Sequence, residues 1–293
     1  MTGSEGRAAQ GTVPVCYRHP QRETYITCTR CDRPICPDCM RDAAVGYQCP
    51  ECVAAGQRGQ RQPRTRYGAP ISAAASAVTL TIIGLNVLAF LVEITGNQAS
   101  IERHFALYEY VVLPDGSLGG VARGEYYRLV TSMFLHVGWL HIALNMYLLW
   151  LLGFQLESLL GRWRFIALYL VGGLGGSALS YLTGQGGEGA SGAIFALFAA
   201  YYIFMRQQGR DTTQILLLIG INLVLSFTIP GIGYWAHLGG LAAGGVIAVG
   251  YAYAPARLAR SSPLRPVAQL SGVVLTAVAV VVVVALHTAA LQP

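Results

Sequence analysis

From Ala73 onward the chain is a succession of apolar runs broken by short polar links, and this pattern restricts its fold more than any other feature. A helix that crosses a bilayer needs about 20 predominantly apolar residues, with a range of roughly 17–25. Seven segments are candidates: 73–94, 135–156, 164–182, 190–205, 213–229, 234–254 and 267–290. The fourth is short and begins inside a Gly-rich stretch, Gly184-Gln185-Gly186-Gly187-Glu188-Gly189. An all-α polytopic membrane domain is therefore expected. Only 12% of the residues are charged, roughly half the share of ordinary soluble domains. Residues 1–70 differ, being polar and cysteine-rich, which argues for a small soluble domain ahead of the spans. No secretory signal peptide is expected, because the first strongly apolar run begins only near Ala73.

Arginine sets the expected orientation. The formal net charge is +6, and the chain contains no lysine. Arg58, Arg61, Arg64 and Arg66 precede the first span, Arg162 and Arg164 lie between the second and third, Arg206 and Arg210 between the fourth and fifth, and Arg257, Arg260 and Arg265 between the sixth and seventh. If seven spans alternate, all of these share one side. The other side has Arg103, Arg123 and Arg128, in one long loop that also carries Glu102, Glu109, Asp115 and Glu125. The positive-inside rule then predicts a multi-pass protein of the cell membrane, N-terminus cytoplasmic and C-terminus outside. The basic balance is explained by topology, so no nucleic-acid partner is expected. Arg-only basic content and abundant Ala and Gly fit a GC-rich bacterial genome.

All seven cysteines lie between positions 16 and 52, as Cys16-x-x-His19, Cys28-x-x-Cys31, Cys36-x-x-Cys39 and Cys49-x-x-Cys52. With His19 they make eight ligands, enough for two structural tetrahedral zinc sites. Two-residue spacing lets both side chains of a pair reach one ion. Disulfides are disfavoured by the odd count and by a reducing cytoplasmic side. So small a domain has little core, and metal binding would supply much of its folding free energy.

Polar residues inside apolar spans are expensive and usually functional. Three clusters stand out: Gly189-Ala190-Ser191-Gly192 opening the fourth span, Trp235-Ala236-His237 opening the sixth, and His136 to Asn145 entering the second. Alternation puts Ser191 and His237 at similar depth near the outer leaflet. His141 and Asn145, four residues apart, face one side of the second span in its outer half. A serine hydroxyl is a weak nucleophile that needs an adjacent base, and His237 is the natural one. Asn145, His141 and the Ser191 N–H are candidate oxyanion donors, helped by the helix dipole at Ser191. A Gly-lined re-entry beside Ser191 would admit water. No acidic partner for His237 is evident, so a dyad is expected rather than a triad, with no catalytic cofactor. Taken singly, each cluster has a packing explanation. The spacing of Gly240 and Gly244 lets helices approach closely.

At these residues the chain resembles the rhomboid family of intramembrane proteases, over about residues 71–255. The resemblance rests on Gly-x-Ser-Gly at 189–192, Ala-His-x-x-Gly at 236–240, His-x-x-x-Asn at 141–145 preceded by His136, and Glu125-Tyr126-Tyr127-Arg128, similar to a Trp-Arg motif with Tyr127 in place of Trp. It implies a six-helix catalytic core with a seventh helix appended, a Ser191–His237 dyad, and an oxyanion hole containing His141 and Asn145. It also implies that Phe195 packs on His237 and that Glu157 is structural, bonding backbone or loop groups. Gly189, Gly192, Gly240, Arg128 and His136 belong to the supporting set. The loop 95–134 is expected to lie partly in the outer leaflet, with the fifth span and the Ile229–Tyr234 cap as a lateral gate. Substrates would be single-span membrane proteins. The cysteine segment is similar to B-box-type zinc fingers, which implies cross-bracing of the first ligand pair with the third and the second with the fourth. The last pair, Cys49 and Cys52, departs from the histidines many B-boxes use.

The expected division is a disordered stretch 1–13, a double zinc finger 14–53, a linker 54–70, the catalytic core 71–255, and the seventh helix with its tail 256–293. The finger would serve a cytoplasmic protein partner or act as a structural cap. The competing function is a non-catalytic relative that binds and routes membrane clients, but such relatives lack the serine or the histidine and this chain has both. A channel or transporter is disfavoured by the near absence of charge in the spans and of repeats.

Overall fold

The computed structural model describes residues 13–58, 64–70, 76–229, 231–258 and 262–292. The stretch expected to be disordered, 1–13, falls almost wholly outside them. The chain divides into two compact units, Met1–Gln62 and Pro63–Pro293.

In the first unit β1 (Val15–Cys16) pairs antiparallel with β2 (His19–Glu23), and β3 (Arg41–Asp42) with β4 (Tyr47–Gln48). Helix α1 (Pro50–Arg58) follows, with proline at the first helical position, where its missing N–H is not needed. The buried cluster consists of Cys16, Cys28, Ile35, Cys36, Cys39 and Cys49. One isoleucine among cysteines is not an oil-drop core, so side-chain packing alone leaves this unit short of stabilisation.

The second unit contains α2 (Ala77–Thr95), α3 (Gln98–Phe105), a hairpin of β5 (Val111–Val112) and β6 (Leu118–Gly119), α4 (Arg128–Thr131), α5 (Gly138–Leu160), α6 (Arg162–Leu182), α7 (Ser191–Gln207), α8 (Thr213–Thr228), α9 (Tyr234–Tyr253) and α10 (Arg265–Leu291). Each of the seven apolar runs is a helix. The second begins at Gly138 rather than 135, because Leu135 is extended, and runs on to Leu160. Five helices, α2, α5, α6, α9 and α10, are long and apolar enough to cross a membrane. Helix α8 has 16 residues, about 24 Å at 1.5 Å per residue, and α7 has 17. Helix α7 does not need a lipid-facing length: eleven of its residues, from Gly192 to Met205, are buried by other helices.

Helices α6, α7 and α9 pack mutually, α10 lies on α9 and α6, and α2 lies on α5. Small residues permit this. A Cβ at Gly240 would lie 2.0 Å from the Gly192 carbonyl oxygen, so α7 and α9 touch backbone to backbone. Glu157, buried at the far end of α5, accepts from the N–H groups of Val78 (3.0 Å) and Thr79 (2.8 Å) and from Thr79 Oγ1 (2.7 Å). It caps the first turn of α2, satisfying orphan donors with a negative charge at the positive end of the helix.

Within the stretch 54–70, residues 54–58 and 64–70 are described. Helix α1 continues to Arg58, and Arg64–Pro70 closes a turn that buries Tyr67 against Phe204, ring centroids 4.8 Å apart. The Tyr67 hydroxyl donates to Gln207 Oε1 at 2.6 Å. The long loop before α5 is pinned by Arg128, fully buried, which donates to Glu125 Oε2 (2.7 Å) and the Ala106 carbonyl (2.9 Å). Tyr127 is 45% exposed and donates to the His104 carbonyl.

Candidate active site

The site is built where α7 and α9 begin. Gly189 has φ +127°, a conformation that side chains disfavour, and its N–H donates to the Ser132 carbonyl at 2.8 Å. This turn delivers Ser191 as the first residue of α7. A Cβ on Gly189 would lie 2.9 Å from His141 Nε2 and 3.8 Å from Ser191 Oγ, so the glycine is the space between those two side chains. His237 sits in the first turn of α9, and its Nε2 is 2.8 Å from Ser191 Oγ. Phe195, one turn after Ser191, stacks on the imidazole with centroids 4.2 Å apart and planes 11° apart.

The other nitrogen, His237 Nδ1, is 2.6 Å from Ser226 Oγ on α8. Ser226 donates its one proton to the Asn222 carbonyl at 2.5 Å. A hydroxyl has a single proton, so Nδ1 must be the donor to Ser226. The Nε2 lone pair then points at Ser191, the tautomer a general base requires. No carboxylate contacts His237 among the described residues; a neutral hydroxyl holds it instead.

His141 is fixed the same way. The Val137 N–H donates to its Nδ1 at 3.3 Å, which leaves Nε2 protonated and facing the Gly189 turn. His136 packs beside it, centroids 5.1 Å apart. The His136 backbone N–H donates to Glu93 Oε2 at 3.2 Å. Asn145 donates one amide N–H to the His141 carbonyl at 3.0 Å, back along its own helix, and keeps a second N–H. The first N–H groups of α7 have no intrahelical partner and add the positive end of its dipole. Glu188, in the turn before Ser191, has one carboxylate oxygen buried without a partner. Burial, with the Glu102 and Glu93 charges, pushes its pKa up to about 7.

Ser191, His237, Phe195, Gly189 and His141 thus lie together, while Gly192 and Gly240 set the helix contact beneath them. Arg128 and Glu157 stand apart, holding the loop and α2. Sequence reasoning missed Ser226 and Glu93. Ser226 carried a signal, since it lies near the end of the fifth span that adjoins the start of the sixth.

In the first unit, Cys16, His19, Cys36 and Cys39 form one group, and Cys28, Cys31, Cys49 and Cys52 another, with ligand atoms within 4.8 Å of one another in each. This is the cross-braced pairing. All seven cysteines are free thiols. Tetrahedral zinc with bonds of about 2.3 Å needs ligand atoms about 3.8 Å apart. Cys31 and Cys49 Sγ are 3.7 Å apart, and His19 Nδ1 lies 3.8, 3.2 and 3.4 Å from Cys16, Cys36 and Cys39 Sγ. Both groups fit a tetrahedral metal ion. The Arg33 guanidinium, 3.2 Å from Cys31 Sγ, lowers that thiol's pKa.

A family model for the rhomboid domain matches residues 123–254, which contain Ser191, His237, His141, Asn145, Phe195 and Ser226 but not Glu93 or Glu102. The rhomboid protease GluP of Bacillus subtilis is 34% identical over 173 residues, 57% of this chain and 33% of its own length. The rhomboid-type serine protease 2 of Emericella nidulans is 30% identical over 141 residues, 45% of this chain and 28% of its own. The chain thus matches about a third of the length of each of these two relatives. A putative rhomboid protease of Bacillus subtilis, YdcA, is 34% identical over 133 residues, 43% of this chain and 67% of its own length. By domain match, by likeness across two thirds of YdcA, and by the helices that carry both, this chain belongs to the rhomboid family.

Proposed function

We propose that this protein is an intramembrane serine endopeptidase in which Ser191 is the nucleophile and His237 the base. The supporting observation is the 2.8 Å Ser191–His237 contact together with a Ser226 contact that leaves the Nε2 lone pair free for it. As Ser191 Oγ attacks the scissile carbonyl carbon, its proton passes to His237 Nε2. The imidazolium keeps Nδ1–H on Ser226. That neutral acceptor is cheaper to bury than a carboxylate. The tetrahedral oxyanion takes hydrogen bonds from the Ser191 N–H, His141 Nε2–H and the second N–H of Asn145. His237 then gives its proton to the leaving amine, the peptide C–N bond breaks, and an acyl ester remains on Ser191. A water gives a proton to His237 as it attacks the ester; the acyl C–O bond then breaks, that proton returns to Ser191 Oγ, and the carboxylic acid product leaves.

The substrate is a membrane-protein segment that unwinds into the outer half of the bilayer, carried by single-span proteins. It enters past α8, which packs lightly on its neighbours and turns Leu217, Ile221, Val224 and Phe227 outward. Residue 230 of the adjoining cap lies outside the described residues. The arginine asymmetry supports a cytoplasmic N-terminus and an outer C-terminus in the cell membrane. The two four-ligand groups hold structural Zn2+ in a B-box-like unit.

The test is cleavage of a single-span reporter by protein reconstituted in vesicles. Ser191→Ala or His237→Ala is expected to lower kcat by about 10⁴-fold or more. Turnover near the wild-type rate in either variant rules out the proposal.

A further inference from the structure

Where α6 and α10 begin and α9 ends, the membrane unit opens a cavity of about 740 Å3. Arg64, Arg66, Arg164 and Arg265 line it with Tyr251 and Gln269, and no carboxylate among the described residues does. None of the four arginines forms an ion pair among the described residues. Topology alone asks only for arginines in loops at this end. It does not ask for four to converge on one hollow, where like charges repel.

Arg164 is built into place. It is half-buried, donates to Gln269 Oε1 at 2.7 Å, and its carbonyl accepts from the buried Tyr251 hydroxyl at 3.1 Å. Arg64 donates to the Gly68 carbonyl at 2.8 Å, closing the turn that forms the opposite wall. The N-termini of α6 and α10 meet the C-terminal end of α9 here, so the helix dipoles oppose one another and the positive charge is that of the arginines. Guanidinium forks arranged without a counter-charge match the oxygens of a phosphate.

The surroundings favour a lipid as the source of that phosphate. Trp163, the residue before Arg164, is 83% exposed, as tryptophans at headgroup level are. From Arg265 the outer face of α10 continues as exposed Val267, Leu270 and Val274, a path for acyl chains. We propose that this cavity binds the phosphate of an anionic phospholipid headgroup, seated between membrane helices. The seventh helix would thereby be fastened to the core through lipid as well as through direct packing. The proposal is independent of proteolysis.

The test is lipid retention by the full-length protein, followed by native mass spectrometry during titration with phosphatidylglycerol or phosphatidylcholine. One saturable phosphatidylglycerol per chain is expected. Arg164→Gln with Arg265→Gln should weaken it about tenfold or more. Because Arg164 also bonds Gln269, the pair Arg64→Gln and Arg66→Gln, in the exposed turn, gives a second reading, with melting temperature as the control. Displacement by millimolar inorganic phosphate shows that the phosphate alone is read. Resistance to it shows that headgroup and chains are read together. Both support the site. Equal retention of the two lipids, or phosphatidylglycerol binding unchanged in both variant pairs, overturns it.

Discussion

His237 touches one serine with each ring nitrogen, and the two serines do different work. In the proposed mechanism Ser191 passes its proton to Nε2, 2.8 Å away, while Ser226, 2.6 Å from Nδ1, holds the ring in the tautomer that can accept it. Ser226→Ala leaves a buried N–H unsatisfied, a cost of about 1–3 kcal/mol, and releases the tautomer. The expected result is a fall of about 10–100-fold in kcat with KM unchanged, rescued by Ser226→Thr. A KM effect without a kcat effect would instead place Ser226 in substrate binding. Glu188 gives a pH test. Its folded pKa of about 7 lies above the ordinary carboxylate value, so the folded state favours the protonated form. Its contribution is therefore most favourable at low pH and is lost as pH rises toward and through 7. Glu188→Gln should raise the melting temperature at pH 8 and leave it nearly unchanged at pH 5. The closeness of Ser191 to His237 was legible from alternating spans and matched depth. Ser226 was not, because a serine in an apolar helix ordinarily bonds the carbonyl four residues back, as this one does with Asn222. Its second bond, to another helix, depends on packing that no local pattern encodes. Likewise the spacing of His141 and Asn145 gave their shared face but not the turn of the amide back to its own helix.

At the scale of elements, α7 and α9 position the site by touching at Gly192 and Gly240. Gly240→Val drives a side chain into the Gly192 carbonyl, and backbone cannot yield as a flexible side chain can. A loss of about 3 kcal/mol is expected, with activity falling because His237 moves off Ser191. Gly220 on α8 is the control: a Cβ there meets nothing within 4 Å. Gly220→Ala should stabilise the helix by about 0.5–1 kcal/mol. Thermal unfolding in one detergent checks both. All seven helices could be read from apolar runs, because lipid-facing and buried faces are both apolar. That same uniformity hid where the helices start and stop. Glycines with positive φ, Gly138 and Gly161, set the two ends of α5. The shortness of α7 follows from its being enclosed by protein, which composition does not reveal.

At the scale of the whole molecule, two units are stabilised by different physics. The membrane unit is held by helix packing in an apolar solvent, while the first unit has little but thiols and Ile35 inside. Strong chelation should therefore abolish hydrogen-exchange protection in residues 13–58 and leave protection in α5, α6, α7 and α9 intact. Protection that survives chelation in both units would mean the four-ligand groups are not what folds the first. The cysteine spacings showed eight ligands directly, whereas their pairing came only from resemblance, since spacing does not specify which pairs meet in space. Activation of Ser191 by His237 within the bundle can be read from the reaction of the protein with a fluorophosphonate. Intact-mass analysis of the reconstituted protein should find one adduct per chain, mapped to Ser191, and none over the same time in His237→Ala. An adduct elsewhere, or one formed on Ser191 equally fast without His237, would contradict the account.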